Sequence, residues 1–377
     1  MGIYEKLGLK KIINASDTYT KIGGSRMCSI TLNAMCEAAT SFVSISELAN
    51  KVCANIAQMT QNESAFISSG AAACVVLSVA SLITEGDPQL LKQLPDANNC
   101  LKDEIIVFSN QTTIPMLPYW KLIQLAGAKL ITIDATLDAI SNAVSEKTAG
   151  MFFFLADYYE KDVPDIVDVI KTCQSNNIPI IIDAAAQLPP KSNMWHYTKE
   201  LGADGIIFSG GKFISGPQAT GIFLGREYIT HPMYELVFSS ANIGRPYKVS
   251  KEEYAAIYTA VKLFLEADPK DEYRRLNGLL DEVVEGLGDV HRLDIRRVQH
   301  GRLGQDAPMI IIDLPDGKLG SDCAIFMYEK CDPAIDIGWY NADDKSGRKD
   351  QIFINSINLR TGEGDYIARQ IKRFLEV

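Results

Sequence analysis

The chain has 377 residues, of which 47% are apolar and 22% charged, and its formal net charge is -10. This length and apolar fraction suffice to bury two ordinary cores and indicate two to three domains. The negative charge repels phosphate backbones and argues against a nucleic-acid partner. The longest apolar stretch, Ala71 to Ile83, is too short to span a bilayer, and the N-terminus shows no apolar signal region behind a basic one. We therefore predict a cytoplasmic protein with no membrane partner.

The cysteines and histidines predict neither a disulfide framework nor a metal site. The eight cysteines contain no CxxC pair, and several lie in apolar helical contexts, as Cys74 does. Buried free thiols in a reducing cytosol are favoured. The four histidines are scattered along the chain, so no metal is predicted.

Strand and helix signals alternate through the first 225 residues. The strand-like apolar runs are Ala65–Ile67, Glu104–Phe108, Lys129–Ile133, Gly150–Leu155, Pro179–Ile182, Gly205–Phe208 and Gly221–Leu224. The stretches with helical periodicity are Ala71–Ile83, Tyr119–Ala126, Pro164–Asn176 and Met194–Leu201. Continuous apolar strands separated by helices predict an α/β domain with a mostly parallel sheet that is buried on both faces. Ligands bind outside the carboxyl ends of the strands in such sheets.

The remainder of the chain predicts a smaller α+β domain behind a long helix. That helix runs from about Ser250 to Ala267, and Asp268-Pro269 stops it. The later elements are strands at Pro308–Leu314, Ala334–Ile337 and Gln351–Ile357 and a terminal helix at Gly362–Leu375. The predicted organisation is an N-terminal arm (1–30), a large domain (31–247), a bridging helix (248–268) and a small C-terminal domain (269–377).

Lys212 and Asp183 are the residues with the clearest chemical signal. Lys212 follows two glycines at a turn between two apolar strands, where a free ammonium would be costly. Asp183 ends the neighbouring strand Ile178–Ile182. A lysine that forms a Schiff base and a carboxylate that keeps a pyridine nitrogen protonated are what pyridoxal 5'-phosphate requires. Taken singly, the lysine could be a solvated turn residue, and the aspartate a helix cap or a metal ligand.

A second signal is a turn of small residues that opens a helix. Ser69, Gly70 and Ala71 follow the Ala65–Ile67 strand, and backbone N–H groups there can converge on an anion. An ordinary serine cap would look the same. Beside Lys212 and Asp183, a phosphate site for the cofactor is favoured, to which Ser209 could add a hydroxyl. Gln187 is a candidate neighbour of the ring hydroxyl, or simply a polar residue that opens a helix.

Three arginines are candidates for binding a substrate carboxylate, because that group needs a bidentate partner. Arg26 ends a polar N-terminal segment that could be a plain arm or could lie across an active site, often that of a neighbouring subunit. Arg245 and Arg360 lie in loop-like settings. Each could equally be a surface residue.

Together these motifs resemble a known family. They are Ser68-Ser69-Gly70-Ala71-Ala72-Ala73, Asp183-Ala184-Ala185-Ala186-Gln187, Ser209-Gly210-Gly211-Lys212 and Ile243-Gly244-Arg245-Pro246. Their order is similar to that in fold type I pyridoxal-phosphate enzymes (the aspartate aminotransferase-like fold) related to bacterial selenocysteine synthase, and within them to the D-glucosaminate-6-phosphate ammonia-lyase branch. The resemblance implies Lys212 as the Schiff-base lysine, Asp183 as the ring-nitrogen partner, the Ser69 turn as the phosphate cradle, and a homodimer or higher homo-oligomer.

The family pattern is not reproduced everywhere. Asp17 and Phe213 stand where the family often has glycine, and the segment Asn110–Tyr119 offers no expected residue to stack on the cofactor ring. The leading hypothesis is a lyase that acts at Cα and Cβ of a small, possibly phosphorylated amino acid. The alternatives are a selenium transferase acting on seryl-tRNA, a racemase, an aldolase, and a non-enzymatic relative that lacks the cofactor.

Overall fold

The computed structural model describes residues 2–113, 118–157, 162–238, 242–288, 290, 293–340 and 347–376. The chain divides into two compact units, one formed by residues 1–26 and 267–377 and the other by residues 27–266. His291 and residues 114–117 of the segment Asn110–Tyr119 lie outside the described residues.

The described residues form strands and helices throughout both units. The strands are β1 (Ile12–Ala15), β2 (Ser64–Ser68), β3 (Glu104–Phe108), β4 (Lys129–Ile133), β5 (Thr148–Phe154), β6 (Ile180–Asp183), β7 (Gly205–Ser209), β8 (Gly221–Gly225), β9 (Asp294–Val298), β10 (Met309–Asp313), β11 (Ala334–Trp339) and β12 (Gln351–Asn355). The α-helices are α1 (Ile3–Lys6), α2 (Ser29–Ala39), α3 (Ile45–Met59), α4 (Ala71–Thr84), α5 (Pro88–Gln93), α6 (Ser109–Thr112), α7 (Lys121–Leu125), α8 (Leu137–Ala143), α9 (Ile166–Ser175), α10 (Asn193–Trp195), α11 (Glu227–Phe238), α12 (Lys251–Glu266), α13 (Pro269–Leu287), α14 (Gly320–Glu329) and α15 (Glu363–Glu376). Shorter turns of 3-10 helix lie at Thr20–Ile22 and Arg245–Tyr247, and a π-helical turn lies at His196–Glu200.

The larger unit, residues 27–266, is built on a seven-stranded sheet in the order β2-β8-β7-β6-β5-β3-β4. The pairs from β7 through β4 are parallel, and β8 runs antiparallel to both β2 and β7. Alternate strand residues enter two different cores, as Ile180 and Ile182 do on one face and Ile181 on the other. The predicted mostly parallel sheet is confirmed, and its strands are buried on both faces except at the edge strand β4, which has no fully buried residue.

Two helices of this unit follow directly from the sequence. The helix α4 is apolar on all sides and is buried from Ala73 to Thr84. The helix α12 begins after Ser250, whose hydroxyl accepts the backbone N–H of Glu253 at 3.2 Å, as expected of an N-cap.

The other unit, residues 1–26 and 267–377, contains a five-stranded sheet in the order β1-β11-β12-β10-β9. The N-terminal strand β1 pairs in parallel with β11, and its Ile13 and Ala15 are buried in the core of this unit. Part of the predicted N-terminal arm is therefore a strand of this sheet. The predicted domain boundaries stay a prediction.

The cysteines differ in exposure. All eight are free thiols; Cys74, Cys173, Cys323 and Cys331 are buried, whereas Cys28 and Cys36 are exposed, so the expectation of burial is wrong for these two. Among the helices that the structure describes, none is both long and apolar enough to cross a bilayer.

Candidate functional site

The carboxyl ends of the parallel strands β6 and β7 bring Asp183 and Lys212 to the same edge of the sheet. Asp183 is the last residue of β6 and is paired in register with Ile207 of β7. Strand β7 ends two residues later at Ser209, and Lys212 follows after Gly210 and Gly211. The predicted juxtaposition of a lysine and an aspartate is therefore present.

The Asp183 carboxyl group is partly buried at the end of β6. Its Oδ1 accepts the backbone N–H of Ala185 at 3.1 Å. Burial raises the pKa of Asp183, and the Ala185 N–H and the Lys212 ammonium act in the opposite direction. A partly buried carboxylate of this kind gains from a cationic N–H partner such as a pyridinium nitrogen.

The loop that carries Lys212 is closed by backbone hydrogen bonds and requires its glycines. The Gly210 N–H donates to the Thr220 carbonyl at 2.8 Å, and the Ser215 N–H donates to the Lys212 carbonyl at 2.8 Å. A Cβ at Gly211 would lie 2.3 Å from the Cα of Gln218. The next residue, Phe213, packs edge-on against Phe264 of α12 with ring centroids 6.0 Å apart. An aromatic residue is therefore accommodated after the lysine where the family often has glycine.

The turn before α4 presents uncommitted backbone N–H groups. The N–H of Ser69 donates to the Tyr247 carbonyl at 3.1 Å, and that of Gly70 donates to the Ser68 carbonyl at 2.9 Å. The helix has no side-chain N-cap, and the N–H groups of Ala71 and Ala72 have no acceptor among the described residues. Of the predicted cradle, the Ser69 hydroxyl and the Ala71 N–H thus remain available to an anion, and the Ala72 N–H joins them.

Strand β8 connects this turn to the Lys212 loop. Its first residue, Gly221, is paired with Ser68 of β2 on one side and with Ser209 of β7 on the other. Because neighbouring strands lie about 4.8 Å apart, the two serine positions are about 10 Å apart across Gly221. A Cβ at Gly221 would lie 2.3 Å from the Gly70 carbonyl carbon and 2.5 Å from the Ala71 nitrogen. Glycine at 221 therefore allows the turn to lie directly over the strand.

Gly221→Ala should weaken the binding of a phosphate-bearing cofactor, because the new methyl group must displace the turn that presents the Ala71 N–H. Gly278 in α13 is a matched control, since a Cβ there meets nothing within 4 Å. Gly278→Ala should leave cofactor affinity unchanged and stabilise the fold by about 0.5–1 kcal/mol. Titration of both variants with pyridoxal phosphate, alongside thermal unfolding, checks this expectation. Equal affinity in the two variants would contradict it.

Three further residues bear on the site, and no local sequence pattern points to them. Tyr247 accepts the Ser69 N–H and sits in the Arg245–Tyr247 turn. Burial raises the pKa of the Tyr119 phenol, and the Asp183 carboxylate acts in the same direction. Cys74 hydrogen-bonds to Ser68 at 3.0 Å beneath the turn. None is recognisable from local spacing, since each reaches the site from another part of the chain or from inside a helix.

Gln187 is buried in the loop that follows Asp183. Its N–H donates to the Ala184 carbonyl at 2.9 Å, and its own carbonyl accepts from the Asn193 amide at 2.7 Å. The loop is thus fixed by its backbone. Contact of Gln187 with a ring hydroxyl stays a prediction.

The three arginines are divided between the two units. Arg26 forms a bidentate ion pair with Glu363, at 3.0 and 3.1 Å, and also donates to the Asn358 carbonyl. Arg360 lies in the same unit, where its backbone N–H donates to Glu363. Arg245 belongs to the other unit and is exposed, two residues before the carbonyl that accepts the Ser69 N–H. The role of these arginines in binding a carboxylate stays a prediction; at Arg26 an incoming carboxylate would compete with Glu363.

The residues of this sheet edge fit pyridoxal 5'-phosphate. A Cβ placed on Gly70 would meet nothing within 4 Å, so there is open space beside the turn that carries the uncommitted N–H groups of α4. A phosphate can accept those N–H groups and the Ser69 hydroxyl. The partly buried Asp183 carboxyl group can accept a pyridinium N–H, and Lys212 supplies the amine for the aldehyde.

Comparison with known proteins agrees with this arrangement. The aminotransferase class-V family matches residues 33–260, more than half of the chain. A D-glucosaminate-6-phosphate ammonia lyase from Salmonella typhimurium is 28% identical over 307 residues, covering 80% of this chain and 79% of that protein. An L-seryl-tRNA(Sec) selenium transferase from Alkaliphilus oremlandii is 26% identical over 178 residues, covering 43% of this chain and 37% of that protein.

Among solved structures, one of a D-glucosaminate-6-phosphate ammonia-lyase superposes with a TM-score of 0.83 at 22% identity, covering 100% of this chain and 98% of that chain. This likeness shows the fold, and it confirms the predicted fold type I architecture. The family match extends over the Ser69 turn, Asp183 and Lys212 and supports the predicted cofactor, pyridoxal 5'-phosphate. The chain belongs to the aminotransferase class-V family.

Proposed function

We propose that this protein is a pyridoxal-phosphate-dependent ammonia-lyase acting on a phosphorylated amino sugar acid, D-glucosaminate 6-phosphate, and yielding 2-keto-3-deoxy-6-phosphogluconate and ammonia. The observation that carries the chemistry is the meeting of Asp183, Lys212 and the open N-terminus of α4 at one edge of the sheet. The substrate rests on similarity to the Salmonella typhimurium lyase over 80% of the chain.

The residues of the site divide the task of holding the cofactor. The N–H groups of Ala71 and Ala72 and the hydroxyls of Ser69 and Ser209 would hold the phosphate, and Asp183 would keep the pyridine nitrogen protonated. When bound, the cofactor supplies a sink for the electron pair left at the substrate's Cα. The carboxylate of Asp183 would keep its negative charge when it faces that pyridinium, because an opposite charge favours ionisation.

Lys212 has the central part in the proton transfers. Its amine takes the proton from Cα and returns a proton to the hydroxyl on the adjacent carbon, which leaves as water. One water is consumed when the resulting enamine is hydrolysed, so the net change is loss of ammonia and formation of a 2-keto group. The backbone hydrogen bonds that close the glycine-rich loop fix the position of the Lys212 backbone, from which the side-chain amine extends.

The proposal is tested by incubating the purified protein, loaded with pyridoxal phosphate, with D-glucosaminate 6-phosphate. We expect 2-keto acid and ammonia in equal amounts, with the unphosphorylated D-glucosaminate as a comparison substrate. Absence of both products at high enzyme concentration would contradict the proposal. Deuterium exchange at Cα without net product would favour a racemase or aldolase instead, and a salt-dependent shift of tRNA in a gel would favour the selenium transferase alternative.

We also propose that the chain forms a homodimer or higher homo-oligomer. Large apolar side chains that are exposed in the single chain support it: Phe42 is 100% exposed, and Ile3 and Leu7 are each 64% exposed. Phe42→Asp should lower the average mass in sedimentation equilibrium if this side chain is buried between copies. A monomeric wild-type protein at micromolar concentration would contradict the proposal. The cytoplasmic location stays a prediction.

A further inference from the structure

We infer that Ser68 and Cys74 are positioning residues for the cofactor's phosphate site. They fix the carbonyl of Gly70 and thereby orient the peptide group that carries the Ala71 N–H. Both side chains are completely buried. The Ser68 hydroxyl lies 3.0 Å from the Gly70 carbonyl oxygen and 3.0 Å from the Cys74 sulfur. Neither side chain carries a role in the proposed reaction, and this inference rests on the proposed cofactor.

The hydrogen bonds of this pair have one consistent direction. The Gly70 carbonyl can only accept a hydrogen bond, so the Ser68 hydroxyl donates its single proton to this carbonyl. The Cys74 thiol must then donate to the Ser68 oxygen. Burial raises the pKa of Cys74 to about 12, so the thiol keeps the proton that it donates. The result is a chain that runs from the thiol through the hydroxyl to the carbonyl.

The carbonyl at the end of this chain decides where the open N–H groups point. Gly70 has φ +95°, a conformation that glycine adopts readily. Because glycine has no Cβ, its backbone can also leave this conformation at little steric cost. Its carbonyl also accepts the N–H groups of Ala73 at 3.1 Å and Cys74 at 3.3 Å. The peptide plane that contains this carbonyl contains the N–H of Ala71 as well, because a peptide group is planar. Fixing the oxygen therefore fixes the direction of the Ala71 N–H toward the phosphate.

This arrangement makes a specific prediction about ligands with and without a phosphate. Ser68→Ala removes the side-chain donor to Gly70 but leaves the two backbone donors, so α4 should still form. The dissociation constant for pyridoxal phosphate should rise about tenfold, which corresponds to one lost hydrogen bond. The dissociation constant for pyridoxal, which lacks the phosphate, should stay within about twofold of wild type. Cys74→Ala should show a smaller effect in the same direction, and Cys74→Ser, which keeps a donor, should restore tight binding.

Ser78→Ala provides the matched control. Ser78 is a buried serine on α4, the helix that also contains Cys74. Its hydroxyl donates to the Val75 carbonyl at 3.1 Å, away from the turn. The experiment titrates each purified variant with pyridoxal phosphate and with pyridoxal, following visible absorbance, with circular dichroism as the check on folding. We expect the ratio of the two dissociation constants to change in Ser68→Ala and Cys74→Ala, and to be unchanged in Ser78→Ala and Cys74→Ser.

Each other outcome is decisive. Unchanged affinity for pyridoxal phosphate in Ser68→Ala, or an equal loss for both ligands, overturns the positioning role. If Ser68→Ala does not fold, the comparison of Cys74→Ala with Cys74→Ser tests the role instead, and equal binding by these two overturns the inference. A wild-type protein that binds neither ligand overturns the cofactor assignment itself, and the inference with it.

Discussion

Lys212→Ala should abolish the visible absorbance that pyridoxal phosphate acquires on binding and should lower turnover by at least about 10²–10⁴-fold, the usual contribution of a general base. The variant loses both the amine that bonds to the aldehyde and the base that takes the Cα proton. The phosphate site and Asp183 remain, so the cofactor should still bind, but more weakly and with the spectrum of the free aldehyde. Absorbance spectra and initial rates of 2-keto acid formation provide the measurement.

A lysine on α12 supplies the control for this variant. The Lys262 side chain is 51% exposed and lies 3.9 Å from Glu266. Lys262→Ala should retain the wild-type spectrum and rate. Retention of the visible band in Lys212→Ala would place the cofactor on another lysine. A cofactor band in neither wild type nor variant would favour the non-enzymatic alternative.

Asp183→Asn should lower turnover by about 10- to 100-fold, because a hydrogen bond to a charged group contributes about 1.5–3 kcal/mol. The amide cannot hold the pyridine nitrogen in its protonated form, so the electron sink is weaker although the shape of the site is preserved. Binding of pyridoxal phosphate should weaken less than turnover, since the phosphate contacts are untouched. Steady-state rates and cofactor titration separate the two effects, and a variant with wild-type turnover would contradict the assigned role.

The same substitution should stabilise the protein in the absence of cofactor. Burial raises the pKa of Asp183 above its ordinary value, so ionisation is less favourable in the folded than in the unfolded chain. This group's contribution to stability is fully present below the ordinary aspartate pKa and is lost as the pH rises through the raised value. Cofactor-free Asp183→Asn should therefore unfold at a higher denaturant concentration than wild type at neutral pH. The difference should vanish in acid, and a less stable variant at neutral pH would contradict this reasoning.

The central sheet was predictable because most of its strands are continuous apolar runs that show no helical periodicity. Glu104–Phe108 and Lys129–Ile133 form strands with the predicted bounds. The strand β1 was not predicted, because its four residues acquire a role only by pairing with β11 more than 300 residues later. The antiparallel direction of β8 likewise follows from a short loop that local periodicity does not encode.

The candidate site shows the same division. Lys212 and Asp183 could be paired from the sequence, since parallel strands deliver their carboxyl ends to one edge of the sheet. The sequence could not show which backbone N–H groups of the Ser69 turn are free to bind an anion and which are already hydrogen-bonded. The Ser69 N–H donates to the Tyr247 carbonyl, which belongs to a turn far along the chain. The ion pair of Arg26 with Glu363 also depends on a contact between distant segments.

Reductive trapping shows whether the cofactor is bound covalently at Lys212. The purified protein is incubated with pyridoxal phosphate, reduced with borohydride, digested and analysed by peptide mass spectrometry. We expect a single stable pyridoxyl-phosphate adduct on the peptide containing Lys212, which disappears in Lys212→Ala. An adduct on a different lysine, or no more adduct than a denatured control shows, would contradict the assignment of Lys212 as the cofactor-binding lysine.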